Sequence, residues 1–326
     1  MKLWKTAAAF CGSVALILGG SAVVHADTTT AITDATFLWG LNQNISSGKP
    51  PAGNSNYMIA GTVEGLQQGD SLQSKYKATD GNVSVVLYDL NNQPYAPTWE
   101  TRTDNTDRTK SKGQFAKFTK GTGTINADKS VDIKWTGSLT IASYGGMVPF
   151  WITNPHLHVN ADGSGELRAD LGGYQGVRGD ATARVAMETQ SNKVVATFSN
   201  LNEFLAGSQT LSLTPNWSGV VAPVANGNAA QAQTGDWGSW PTDFVEFQNQ
   251  TGLSSYYYSS GGEADKGKKP LPISLAYATS GEASTPAAPE TPKTDTGTKQ
   301  TTTTPATPQD KQEVRKASGS SLLGSL

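Results

Sequence analysis

Short runs of alternating apolar and polar residues, set between turn-forming clusters, recur through the middle of the chain. Val83 to Tyr88 (VSVVLY) follows the turn signal Asp80-Gly81-Asn82. Val131, Ile133 and Trp135 alternate with Asp132, Lys134 and Thr136, and after Gly137 the alternation resumes at Leu139 and Ile141. A two-residue period sends successive side chains to opposite faces, which is the signature of a strand. Leu157 and Val159 lead into Asn160-Ala161-Asp162-Gly163, and Leu167, Ala169 and Leu171 alternate beyond it, which predicts a hairpin. Ala183, Val185 and Met187, followed by Val194 to Phe198, predict a second pair around Ser191-Asn192. Leu211, Leu213 and Trp217 come next. Regular short strands with turns between them predict an all-β fold, an antiparallel β-sandwich-like domain with one or two short helices. One helix is explicit. Trp240-Pro241 opens it, Phe244, Val245 and Phe247 share a face, and Gly252-Leu253 closes it as a glycine cap with its apolar partner.

The two ends break this pattern. Lys2 and Lys5 precede an apolar stretch from Ala7 to Val24 that ends in Val24-His25-Ala26. A basic start, an apolar core and small residues before a cleavage point read as a secretory signal peptide, residues 1–26. From about residue 279 the chain is rich in Thr and Pro and has no aromatic residue. Such a segment cannot bury enough surface to offset the entropy of ordering, so 279–326 is read as a disordered spacer. The organisation that follows is a signal peptide 1–26, a lead 27–34, a β domain 35–278 and a tail 279–326. The protein is then secreted or extracellular, in the manner of cell-wall-associated modules, with no transmembrane span in the mature chain.

Composition narrows the function. Charged residues are 16% of the 326 and the net charge is −2, so no concentrated basic surface for nucleic acid is present. The single cysteine, Cys11, lies within the signal, which excludes thiol nucleophiles, disulfides and cysteine metal sites from the mature chain. His156 and His158 share one strand face, but no third ligand is nominated, so no metal is assigned. Asn160 to Gly165 matches the opening of a calcium loop, but Leu171 stands where a bidentate Glu belongs, and the segment reads as a turn. No nucleophile elbow, phosphate loop or singled-out carboxylate pair appears, so no catalytic residue is assigned and the chain is read as a non-enzyme.

Aromatic clusters carry the binding hypothesis. Tyr144-Gly-Gly-Met-Val-Pro-Phe150-Trp151, Trp237-Gly-Ser-Trp240-Pro and Tyr256-Tyr257-Tyr258 place rings beside Gly and Ser. Tyrosine at a surface supplies area and a hydrogen bond from one rigid side chain. The candidate ligand contacts are Tyr144, Trp151, Tyr256, Tyr257, Tyr258, Tyr57 and His156.

Phe37-Leu-Trp39-Gly40, the stretch Trp135-Thr-Gly-Ser138-Leu-Thr-Ile-Ala-Ser-Tyr144-Gly-Gly with Asn154-Pro-His-Leu-His-Val, and the closing segment from Asp236-Trp-Gly-Ser-Trp-Pro through Lys269-Pro-Leu-Pro together resemble the HtaA-type domains of actinobacterial secreted and cell-surface proteins. The resemblance spans about residues 35 to 278 and implies a β-rich, exported envelope domain. It also implies haem, or a haem-carrying protein, as ligand, held through a tyrosine assisted by a histidine; a phenolate suits ferric haem. In the family that tyrosine follows shortly after the opening Trp-Gly, where this chain reads Gly48-Lys49-Pro50 with Tyr57 as the nearest tyrosine, and the histidine corresponds to Tyr144. The alternative is a structural or adhesive envelope module that has lost haem and contacts a cell-wall glycan or a host surface protein.

Overall fold

The computed structural model describes residues 29–48, 55–177, 180–202 and 204–280. The expected signal peptide and all but the first two residues of the expected Thr/Pro-rich tail lie outside them. Thirteen strands form one antiparallel sheet among the described residues. In chain order they are β1 (Thr30–Trp39), β2 (Tyr57–Ala60), β3 (Thr79–Asp80), β4 (Val83–Tyr88), β5 (Pro94–Tyr95), β6 (Gly113–Ile125) and β7 (Val131–Lys134). Then come β8 (Ser138–Ser143), β9 (Val148–Val159), β10 (Gly165–Val177), β11 (Asp180–Phe198), β12 (Gln209–Leu213) and β13 (Ile273–Ser280). The main order is β11-β10-β9-β7-β6-β1-β13-β12, with β2 joined through β8 to β9, and β3 and β5 through β4 to β6. The all-β, antiparallel expectation holds, and β1 reaches back to Thr30, into the stretch read as a lead.

The sheet curls so that its inner face closes on itself. Phe37 of β1 and Leu275 of β13 meet Leu157 of β9, Leu167 of β10 and Phe198 of β11 around one small apolar space. Its two edges are tied by Asn216, whose backbone N–H donates to Thr197 O (2.7 Å) and whose carboxamide donates to Thr197 Oγ1 (3.2 Å). The outer face of β2, β8, β9 and β10 carries a second, smaller cluster of Tyr57, Ile59, Ala142, Trp151 and Tyr174, capped by Val63, Leu66 and Leu72 from the following loop. Strand alternation sorts the two cores: Met58 and Ile152 point inward while their neighbours Tyr57 and Trp151 point outward.

Two expectations are refined. The Asn160 turn is a hairpin as read, with Asn160 N–H donating to Ser164 O (2.8 Å). The second expected hairpin, at Ser191-Asn192, is absent: β11 runs unbroken along β10, and the register slips by one residue between Ala169↔Lys193 and Leu171↔Gln190. Asn192 takes a left-handed φ of 56° at this bulge, so the local turn preference is absorbed by an extra residue rather than a reversal.

The two α-helices among the described residues are α1 (Gln43–Ser46) and α2 (Thr242–Thr251). Pro241 is the N-cap of α2, one residue before the first turn expected for it, and Gly252 at φ 84° is the C-cap as read. Phe244, Val245 and Phe247 are fully buried, and Phe244 stacks on Trp240 with centroids 4.9 Å apart. Trp240 is fixed in turn by donating Nε1–H to Lys268 O (2.8 Å).

Candidate functional site

Two of the predicted tyrosines converge. Tyr144 and Tyr256 are both half-buried, and their rings meet edge to face with centroids 5.7 Å apart. They flank a cleft lined also by Asn42, Asn44 and Ile45 of the α1 region, by Asn56, Ser143 and Leu253, and by Tyr257. The enclosed space is about 20 Å³, enough for one water-sized group.

The turn that presents Tyr144 is strained and heavily clamped. Tyr144, Gly145 and Gly146 have φ of 52°, 71° and 96°, three left-handed residues in succession. Glycine adopts this freely, but tyrosine does so at a cost, and such strain persists only where surroundings enforce it. Asn56 Oδ1 accepts from Tyr144 N–H (3.1 Å), and Ser55 O accepts from Gly145 N–H (2.7 Å). Tyr57 donates its hydroxyl to Gly145 O (3.4 Å) from behind. Arg184, at the far end of β11, donates to Gly146 O (2.9 Å) and to Asp70 O (3.0 Å), pinning the turn to the loop after β2. A Cβ at Gly146 would stand 2.5 Å from Leu72 Cδ1 and on a φ of 96°, so a side chain there would be strained and Leu72 would have to shift.

The opposite wall is α1. Asn42 caps it, with Oδ1 accepting from Ile45 N–H (2.9 Å). The Nδ2 of Asn42 is buried and has no partner among the described residues, and the same holds for Asn44 Nδ2, whose carboxamide lies against Gly267. Asn56 links this wall to the tyrosine turn by donating to Asn44 O (3.4 Å). Burial raises the Tyr256 phenol above its ordinary value, so it stays protonated at neutral pH.

The remaining predicted contacts do not form the rim of the cleft, although Tyr257 is part of its wall. Tyr257 and Tyr258 are core residues and not rim contacts. Tyr257 packs on Phe244 at 4.9 Å, and Tyr258 donates to Ala229 O (2.8 Å). Trp151 is buried on the outer face against Tyr174, centroids 5.9 Å apart. Tyr57 is 1% exposed, so it serves as a support for the Tyr144 turn and cannot touch a ligand without the turn moving. Burial raises its phenol, opposed by a hydrogen bond and charge from Arg102 and by the charge of Arg184. The Arg102 guanidinium in turn lies 3.4 Å over Trp99 and 4.8 Å from the Tyr57 centroid. His156 and His158 do share a face, as expected, and both rings bond one oxygen of Asp132 on β7 (2.8 and 3.1 Å), away from the cleft lining.

Two solved structures are similar to this chain. One is the C-terminal domain of HtaA from Corynebacterium glutamicum, at 16% identity and a TM-score of 0.36, covering 77% of this chain and 99% of that one. The other is the haem-binding protein HtaB from the same organism, at 11% identity and a TM-score of 0.35, covering 77% of this chain and 96% of that one. No family model matches the sequence, and no curated protein matches it.

Gly48 tests how the resemblance in sequence translates into side chains. It opens the stretch Gly48-Lys49-Pro50 in which the family resemblance puts the iron-ligating tyrosine, at φ 65°, and a Cβ on it would stand 2.6 Å from Asn105 Nδ2. Asn105 is fully buried and bonds Ser46 O and Asn56 O (3.4 Å each). The space beside Gly48 is therefore filled by a structural asparagine, and a tyrosine at Gly48 itself would displace it. The residues sequence reasoning missed are Asn42, Asn44, Asn56, Asn105 and Arg184. Asn42 had a readable signal as a helix cap; Arg184 had none, because its four carbonyl partners come from distant loops.

Proposed function

We propose that this chain is an exported, non-catalytic binding module that takes its ligand at the Tyr144–Tyr256 cleft, and that haem, or the exposed edge of haem in a carrier protein, is that ligand. The observation that carries the reading is the strained Tyr144 turn, held by Asn56, Ser55, Tyr57 and Arg184 so that its ring meets Tyr256 at the mouth of a cleft. Strain stored at a half-exposed aromatic pair is more readily explained by binding than by packing. Haem is named because of the sequence resemblance. With the family's tyrosine position filled by Asn105, the contact falls to the rim tyrosines.

A haemin titration of the purified protein, followed by absorption, tests this. The expected result is a saturable one-to-one complex, weakened about tenfold or more by Tyr144→Phe or Tyr256→Phe, and unaltered by Trp151→Phe, which changes only the outer-face cluster. Absence of saturable binding would overturn the haem assignment. A second reading, an adhesive envelope module for a glycan or host protein, is favoured by the small neutral cleft and the filled position beside Gly48. It gains ground if glycan or protein ligands bind where haemin does not.

A further inference from the structure

Two histidines stand without a third ligand in the sequence, and the sheet register brings one to them. β7 and β9 pair so that Asp132 lies directly across from His158, with His156 one row along on the same face. Leu157 and Val159, on the other face of β9, are buried in the core and fix which way the two rings point. His156 Nε2 and His158 Nδ1 both lie against one oxygen of Asp132, at 2.8 and 3.1 Å. The side chains of His156, His158 and Asp132 are 29%, 41% and 36% exposed, so an ion and its remaining waters have access.

His158 has an acceptor at each nitrogen. Its Nε2 lies 3.1 Å from Asn160 Oδ1. That carboxamide is held in one orientation, because its Nδ2 donates to Ser164 Oγ (2.9 Å), whose own hydrogen goes to Asp162 Oδ1 (2.6 Å). A neutral imidazole carries one proton, so it satisfies one of its two acceptors and turns a lone pair to the other. A ring that donates Nε2–H to a fixed carbonyl oxygen has Nδ1 left to ligate, which is the support that metal-bound histidines receive. The N···O separations are within about half an ångström of the ~3.3 Å ligand–ligand edge of a tetrahedron with bonds of ~2.0–2.1 Å. A swing of the Asp132 side chain admits an ion between the three groups. Lys134 and Arg168 stand across from His156 on either side. Arg168 is engaged by Glu166 (2.7 Å) and by Asn192 O (2.9 Å), and Lys134 is exposed on a flexible stem.

We propose that His156, His158 and Asp132 form a surface site for a divalent transition metal ion of the zinc type, with Asn160 orienting His158. Imidazole nitrogens and one carboxylate suit zinc, and three protein ligands on an exposed face leave the fourth position to water. The site lies apart from the Tyr144–Tyr256 cleft and does not depend on the haem reading.

The test titrates zinc chloride into the untagged full chain, followed by calorimetry and by ¹H–¹⁵N spectra of the histidine rings. One saturable site is expected, with shifts of the His156 and His158 ring signals. His156→Ala, His158→Ala and Asp132→Asn are each expected to weaken zinc about tenfold or more. Asn160→Ala removes no ligand but frees the His158 ring, and is expected to weaken zinc about tenfold. All four positions lie on the outward face of the sheet or in its turn, so a failure of one variant to fold leaves the others to be read. The absence of saturable zinc binding overturns the site. So does an unchanged zinc affinity in the folded ligand variants, or ring shifts confined to a histidine other than these two.

Discussion

Single residues decide what the cleft can hold. Tyr144 is a candidate legible in the sequence, as an aromatic beside a Gly pair, but its left-handed backbone is not, because nothing local requires it; Asn56, Arg184 and Tyr57 impose it from elsewhere in the chain. The same is true of the charged pair beneath the closing segment. Lys268 is 4% exposed in its side chain and lies 2.8 Å from Asp265. Burial pushes the Asp265 carboxyl up, but the Lys268 hydrogen bond and the N–H groups of Gly261 and Ser260 outweigh it and hold the group below its ordinary value. A carboxyl lowered on folding contributes stability that is present above the unfolded value, near pH 4, and is lost as pH falls through the folded value. Asp265→Asn leaves the buried ammonium with only Tyr258 O and Ser260 Oγ as partners. It is expected to cost about 3 kcal/mol and to remove part of the acid-range loss. Urea unfolding at pH 7 and pH 3 measures both, and equal stability of the two proteins at pH 7 would contradict the pair's role.

Elements were more legible than contacts. β4 and α2 lie where alternation and a helical apolar face put them, because each pattern is written in a few consecutive residues. The missed element is instructive. Ser191-Asn192 carries a true left-handed preference, but β10 offers a partner along its whole length, and continuous pairing outweighs a reversal. Arg168 donates to Asn192 O (2.9 Å), and Asp170 Oδ1 accepts from Asn192 N–H (2.9 Å), fixing the bulge. Asn192→Gly is therefore expected to be tolerated, whereas Asn192→Val, which resists positive φ, should lose about 1–2 kcal/mol. Thermal unfolding of the two variants compares them directly; equal melting would mean that the bulge does not need its backbone conformation.

At the scale of the whole molecule, stability rests on burial in a curled sheet with no covalent staple. Cys11 is the single cysteine of the chain and lies in the apolar stretch Ala7 to Val24, read from the sequence as a leader. The melting temperature of the protein lacking that leader is expected to be the same with and without a reducing agent, as followed by circular dichroism. β1, β2, β6 and β13 were not read along the chain; the class of fold, strands such as β4, β7, β8 and β12, the helix α2 and the aromatic clusters could be read there, because a two-residue or 3.6-residue period is a property of neighbours. Which aromatics meet could not. Tyr256, Tyr257 and Tyr258 are adjacent and chemically identical, yet Tyr256 stands half-buried at the cleft, Tyr257 is a buried part of its wall, and Tyr258 fills the core. Asn105 takes the space beside Gly48, and Asn42 is left with a free buried donor. Strand register and the curl of the sheet set these outcomes, and both are fixed by the packing of segments far apart in sequence, so only the tertiary structure could decide them.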